Sequence, residues 1–263
     1  MNNATAEMPS VLCRALGAYW QRQPHPALQL HFVRTWFHVR PSAPSDPLAV
    51  VPDGYADLQW VNGALRVAGP DRTVNAEALP AGTLVVGLRF QPAAVGAWLG
   101  TPPSELVNGR VQLEAFWGTD ARRLEANVSE GRSPDAIAQR LEAALIERSS
   151  QVTAPDRAAL AIFRTVAADP SQQTEVTRHI CEVLGMSERS LRRRSLEAFG
   201  YGPKMLHRIL RFQRFLQGAR APGSTKSLAE LAMDAGYADQ AHLSREARDL
   251  AGMTPATILG RLP

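Results

Sequence analysis

The chain has only two cysteines, Cys13 and Cys181, in 263 residues. That is too few for a disulfide framework or a cysteine-based metal cluster, and it predicts a reducing compartment. No apolar run approaches the roughly 18 residues that a membrane-spanning helix needs, so no membrane partner is expected. The opening stretch MNNATAEMPS has no basic region followed by an apolar segment, which predicts no secretion signal and a cytoplasmic location. Histidine is also scarce. His25, His31 and His38 share no single helix face, and no cysteine or carboxylate cluster joins them. They read as packed or surface histidines rather than metal ligands, so no metal and no cofactor are expected.

Apolar residues make up 45% of the chain and charged residues 21%, the balance of a soluble protein with a proper core. The net charge of +4 is modest but unevenly placed. Residues 1–149 hold 13 Lys and Arg against 14 Asp and Glu, whereas residues 178–220 hold 10 against 3. Such a cluster suits a surface that meets phosphates; an Arg-rich solvated helical face is the plainer alternative.

The two halves have different textures. In the first, Leu30–Val39, Leu58–Val67 and Thr83–Phe90 carry the aromatic and β-branched strings of strands, and Asn62-Gly63 marks a hairpin. A Pro-rich loop, Pro41–Pro47, separates the first two. Short helices are expected at 92–99 and 114–128. Ser133-Pro134 caps a longer helix with Ile137, Leu141 and Leu145 on one face. This half predicts an α+β, strand-rich domain over 1–149. Residues 150–155 are polar and read as a linker. From 156 to 263 the pattern is all-α, with helices near 156–168, 174–184, 188–199, 203–218, 227–235, 240–250 and 255–261.

The helical part contains a repeat. His179–Ser187 leads into Glu188-Arg189-Ser190-Leu191-Arg192-Arg193, and Glu230–Tyr237 leads into Asp239-Gln240-Ala241-His242-Leu243-Ser244-Arg245. Each copy reads as helix, glycine turn, polar cap and second helix, the pattern of a helix-turn-helix DNA reader. In the first copy Val176, Ile180, Val183 and Leu184 form the apolar stripe, Gly185 ends the helix and Ser187 caps the next. Cys181, matched by Ala232, reads as a small packing residue rather than a reactive thiol. Leu191 and Leu243 are the buried anchors. Leu228, Leu231 and Ala235 face inward in the second copy, and Asp239 caps its reader.

Arg189, Arg192 and Arg193 then fall outward, as do Gln240, Ala241, Ser244 and Arg245. Arginine fits guanine N7 and O6 as well as phosphate, and an alanine methyl fits thymine. Arg194 reads as a phosphate contact or a solvated charge. His242 is open between a phosphate contact, a packed residue and a base reader. Between the copies, Met205, Ile209, Phe212 and Leu216 lie on one stripe and Lys204, Arg208, Arg211 and Arg214 on another. That helix would hold the readers about 34 Å apart, in successive major grooves.

Residues 156–263 resemble the DNA-binding domain of the AraC/XylS family of bacterial transcription regulators. Gly236–Glu246 with Gly252-Met253-Thr254-Pro255 carries the likeness, together with Leu184–Arg193 and Phe199-Gly200-Tyr201-Gly202-Pro203. The resemblance implies a seven-helix domain with two helix-turn-helix units joined by a long helix, and base reading from the seven outward residues named above. It departs at Ser195 and Ala247, where a large apolar residue is usual; the packing there is expected to be looser or filled from elsewhere.

The first half is less specifically similar to N-terminal domains of the family. The matching pieces are Pro24–Leu28, Val51–Leu58 and Val86–Pro92, and they imply a strand-rich, cupin-like sensory or dimerisation domain. Trp20, Trp36, Trp60, Trp98 and Trp117 would be core aromatics or the lining of an effector pocket. Arg89 would meet an anionic effector or an internal carboxylate. Asp53-Gly54 has no paired base or nucleophile. The expectation is therefore a sequence-specific regulator, not an enzyme, that binds double-stranded promoter or operator DNA. A small-molecule effector, a homodimer and contact with RNA polymerase are left open. An enzyme with a DNA-binding module would need a reactive cysteine in a dedicated motif, and neither cysteine has that setting. An architectural DNA protein would bind without sequence discrimination.

Overall fold

The computed structural model describes residues 10–13, 16–43, 46–168 and 176–262. The first half forms two antiparallel sheets. One holds β1 (Val11–Leu12), β4 (Leu48–Val50) and β7 (Asn75–Glu77) in the order β1-β4-β7. The other has six strands: β2 (Ala18–Arg22), β3 (Phe32–Val39), β8 (Leu84–Phe90), β5 (Asp57–Val61), β6 (Ala64–Ala68) and β9 (Arg110–Gln112), in that spatial order. β5 and β6 meet through Asn62 and Gly63 at φ 44° and 106°. A two-residue loop with both φ values positive matches the right-handed twist of the flanking strands. The hairpin expected at Asn62-Gly63 divides 58–67 into β5 and β6. The short strands β1, β2, β4, β7 and β9 carry too little apolar alternation to stand out in the sequence.

Period-2 alternation divides the six-stranded sheet into two unlike faces. Phe37, Leu58, Trp60, Leu65, Val67, Val86, Leu88 and Phe90 point into an apolar core. That core is closed by α1 (Val95–Leu99), α3 (Thr119–Ser129) and α4 (Pro134–Ser149) through Val95, Trp98, Ala121, Val128, Ile137, Leu141 and Leu145. The expected 114–128 helix is broken at Gly118 into α2 (Glu114–Trp117) and α3. Ser133 caps α4 by accepting from the Ala136 amide at 3.2 Å. The opposite face presents Trp36, His38, Asp57, Gln59, Arg66 and Arg89 towards the space between the sheets.

The second half is helical: α5 (Arg157–Ala168), α6 (Val176–Leu184), α7 (Glu188–Phe199), α8 (Pro203–Arg220), α9 (Leu228–Asp234), α10 (Gln240–Ala251) and α11 (Pro255–Leu259). The expected break at Asp169-Pro170 and helix start at 174 lie outside the described residues. α8 runs through the middle and buries Leu206, Ile209, Phe212, Phe215 and Leu216. Met205, expected on the same stripe, is half-buried. The core of this half also takes in Leu12, Ala49 and Val51 from the small sheet, so the two halves share apolar contact. Gln213 Nε2 donates to the Pro52 carbonyl at 2.6 Å and Arg220 Nη2 to the Val11 carbonyl at 2.9 Å, tying α8 to the strands.

Gly87 shows how tightly the cavity side of the large sheet is built. A Cβ there would lie 2.2 Å from the Trp36 ring, which lies across the glycine. Gly87→Ala should therefore destabilise the fold by about 2 kcal/mol, the cost of overpacking a filled site. Urea denaturation measures this; an unchanged midpoint would contradict the packing described.

Candidate nucleic-acid interface

The two helix-turn-helix units, α6–α7 and α9–α10, close their turns in the same way. The Met186 amide donates to the Cys181 carbonyl at 3.1 Å and the Tyr237 amide to the Ala232 carbonyl at 2.9 Å. Gly185 at φ 62° and Gly236 at φ 86° supply the left-handed step this helix ending requires. Ser187 Oγ then accepts from the Ser190 amide at 3.3 Å, and Asp239 Oδ1 from the His242 amide at 2.6 Å. The second turn is one residue longer, Gly236–Asp239 against Gly185–Ser187. Leu191 and Leu243 are fully buried one turn into their helices. In the first unit Val176 and Ile180 are buried and Leu184 half-buried, but Val183 is 56% exposed and lies outside the expected stripe. In the second, Leu231 and Ala235 are buried and Leu228 is half-buried.

Anchoring by the leucines leaves the opposite face of each second helix open. Arg189, Arg192 and Arg193 on α7 are exposed, as are Gln240, Ala241 and Arg245 on α10; Ser244 is half-buried beside them. Arg193 makes an ion pair with Glu197 at 3.0 Å, with both side chains 59% exposed. An exposed pair of this kind contributes little and is readily exchanged for another anion. Among the described residues, Arg189, Arg192 and Arg245 have no ion pair, so their charge is free for an incoming phosphate or base edge.

Much of the surrounding basic charge is engaged inside the protein. Arg194 is held by Asp156, at the start of α5, at 2.5 Å. Arg208 pairs with Glu246 at 2.9 Å and Asp249 at 2.7 Å. Arg211 is buried against Glu246 at 2.6 Å, and Arg214 donates to the Ala167 carbonyl at 3.1 Å at the end of α5. Of the expected basic stripe on α8, only Lys204 is exposed. The concentration of charge read from the sequence therefore overstates the surface offered to DNA, because counting cannot separate internal ion pairs from free cations. His242 is turned inward. Its ring meets Tyr237 edge-on at 5.3 Å, its Nε2 lies 3.4 Å from Arg211, and burial lowers its pKa, with Arg211 adding to the effect.

At the two positions where the resemblance anticipated a large apolar side chain, Ser195 and Ala247 are both fully buried. Elsewhere on α7, Phe199 packs against Phe163 of α5 with ring centroids at 5.9 Å. Near α10 Arg211 stacks over Tyr237 at 4.5 Å. Cys181 is half-buried, and burial raises its pKa, so the thiol is not activated.

A second feature was not legible in the sequence. A cavity of about 540 Å³ lies between the charged face of the large sheet and helices α5 and α8. It is lined by Tyr19, Arg34, Trp36, Asp53, Tyr55, Arg89, Arg214 and Arg220, among others. Arg89 is neutralised by Asp53 at 2.8 Å and Asp57 at 3.2 Å, which hold its pKa above the ordinary value despite burial. Burial in turn pushes the Asp53 carboxyl up. Arg34, Arg214 and Arg220 have no carboxylate partner among the described residues. Arg220 loses basicity through burial, and no neighbouring charge offsets it.

The remaining sequence candidates are dispersed. His25 Nδ1 accepts from the Ala27 amide, His31 stacks edge-on against Trp98, and His38 Nε2 lies 2.6 Å from the Leu16 carbonyl. Among the described residues no three His, Cys, Asp or Glu side chains converge as a metal set. Trp60 and Trp98 are core residues, whereas Trp36 faces the cavity. Trp20 is partly exposed and stacked on Phe37 at 5.0 Å, and Trp117 lies under Arg148 at 4.1 Å. No helix among the described residues is long and apolar enough to cross a membrane.

Two capped helix pairs joined by one connecting helix give this half the form of a tandem helix-turn-helix domain. Residues 180–261 match the family described as "Helix-turn-helix domain", and residues 21–112 match a domain of unknown function, DUF6597. No curated protein sequence matches the chain. Among solved structures it is similar to an apo form of ToxT from Vibrio cholerae strain SCE256, at 13% identity over 92% of this chain and 100% of that one, with a TM-score of 0.49. ToxT from Vibrio cholerae O395 gives 13% identity, 87% and 97% coverage and a TM-score of 0.49. The unsaturated fatty acid-bound wild-type ToxT gives 12%, 92% and 98%, and 0.46.

Proposed function

We propose that this protein is a transcription regulator of the AraC/XylS type that binds promoter DNA sequence-specifically, with α7 and α10 entering successive major grooves. Residues 156–263 would form the DNA-binding domain, 150–155 the linker and 1–149 the sensory or dimerisation domain. The observation that carries the reading is the equivalent exposure of Arg193 and Arg245 two residues after fully buried leucines. Arg189, Arg192 and Arg193, with Gln240, Ala241, Ser244 and Arg245, would then face base edges and phosphates. Of these seven residues α7 supplies three arginines and α10 one, so the first reader contributes more of the salt-dependent affinity.

Anisotropy titrations against genomic fragments test this. Arg193→Ala and Arg245→Ala should each cost about 1–3 kcal/mol on the preferred sequence and relax discrimination at the bases they read. Arg189→Ala with Arg192→Ala should flatten the salt dependence by about two counterions, each contact contributing about 0.9 to the slope. Equal wild-type affinity for all sequences would overturn the reading and favour an architectural protein.

The cavity between sheet and helices supports control by a small anionic effector. Three arginines without carboxylates, drawn from β3 and α8, attract a carboxylate or phosphate group and would bridge the two halves when it binds. An effector acts only through different affinities for the DNA-competent and incompetent states. Citrate and glucose 6-phosphate serve as probes, with glucose as the neutral control. An anion at about a hundred times its Kd should stabilise the protein by about 2.7 kcal/mol. Arg220→Met should remove that gain; equal effects of glucose, or an undiminished gain in the variant, would exclude the site.

A further inference from the structure

We propose that Glu246 is the positioning residue of the second recognition helix, a buried carboxylate through which the connecting helix fixes the rotation and axial register of α10. The inference rests on reading α10 as the helix that meets bases.

Glu246 sits on the inner face of α10 between Leu243 and Leu250 and is only 5% exposed. A carboxylate there loses its hydration and is tolerated only when ion-paired and hydrogen-bonded. Both conditions come from α8: Arg211 Nη2 donates to Glu246 Oε1 at 2.6 Å and Arg208 Nε to the same oxygen at 2.9 Å. Arg208 Nη2 continues to Asp249 Oδ2 at 2.7 Å. Two arginines three residues apart on α8 thus grip two carboxylates three residues apart on α10. Arg211 is itself 3% exposed and held over the Tyr237 ring, on the turn that leads into α10.

A ladder with two rungs resists both rotation and sliding, whereas leucine contact in a packed groove is non-directional. The neighbouring Ala247 is too small to act as a wedge, so the charged ladder takes over the orienting task. The first unit is built differently. Arg194 occupies the position equivalent to Glu246 and makes a partly exposed pair with Asp156, just before α5, instead. The first reader is therefore referenced to α5 and the second to α8. Turning α10 moves Gln240, Ala241 and Arg245 together, so the ladder sets which bases they meet.

The test selects duplexes from a random pool with the wild-type protein, then titrates variants against versions scrambled in one block at a time. Glu246→Gln should lose about tenfold or more of the discrimination at the block read by α10 and keep that of the α7 block. Glu246→Asp should restore part of it. The pair Arg211→Leu with Glu246→Leu removes the charges together and should stay folded, since apolar residues replace buried ion pairs well. It should still lose discrimination at the α10 block. Amide exchange provides an independent readout: in Glu246→Gln, residues 240–251 should exchange faster while 188–199 are unchanged. Wild-type discrimination in the double variant, or equal loss at both blocks in folded protein, overturns the proposal. If the wild type selects no sequence, the promoter reading fails, and unaltered exchange across α10 would then overturn this inference separately.

Discussion

Each proposed recognition helix is held to the body of the protein by an apolar face, Leu191 with Ala198 and Phe199 on α7 and Leu243 with Leu250 and Ala251 on α10, and the arrangement of the exposed side chains follows from that constraint. Apolar contact is non-directional, so a helix held by it, with an exposed polar face opposite, is oriented more closely when a directional contact is added. Ser195 and Ala247, one turn further on, are too small to supply a second wedge. The protein meets the requirement in two ways. α7 lies among aromatic packing that includes Phe163 and Phe199, with a partly exposed Arg194–Asp156 pair beside it. α10 is tied through Glu246 to Arg208 and Arg211. The units are alike in their turns and caps but not in how they are braced.

The N-terminal half follows from a different regularity. Alternation along six antiparallel strands sends aliphatic and aromatic side chains to the helices α1–α4 and charged ones to the other face. The charges on that second face are partly cancelled within the domain, as Arg89 is by Asp53 and Asp57. Arg34 on β3 is not cancelled, and it faces Arg214 and Arg220 of α8 across the cavity between the halves. Residues far apart in the chain thereby make one electropositive lining.

Local signals carried far in this sequence where the physics is local. Asn62-Gly63, the Ser133, Ser187 and Asp239 caps, and the glycines at 185 and 236 act within a few residues, and each shows in the amino-acid string. The helical repeat was legible for the same reason. What was not legible depends on distant pairing. The 10 basic residues of 178–220 looked like a phosphate-facing surface, yet Arg208, Arg211 and Arg194 meet carboxylates brought in by folding. Val183 fits a helical apolar stripe but faces outward, because α6 presents a narrower face to its neighbours than the spacing suggests. The short strands and the cavity likewise require two segments to meet before they exist.

The central claim is that α7 and α10 read DNA as a braced pair on one face of the duplex. Hydroxyl-radical footprinting of the full-length protein on a bound promoter fragment tests it most directly. The account predicts two protected windows on the same face, about 10.5 base pairs apart between centres, one for each reader. A single window, or two windows on opposite faces, would contradict it.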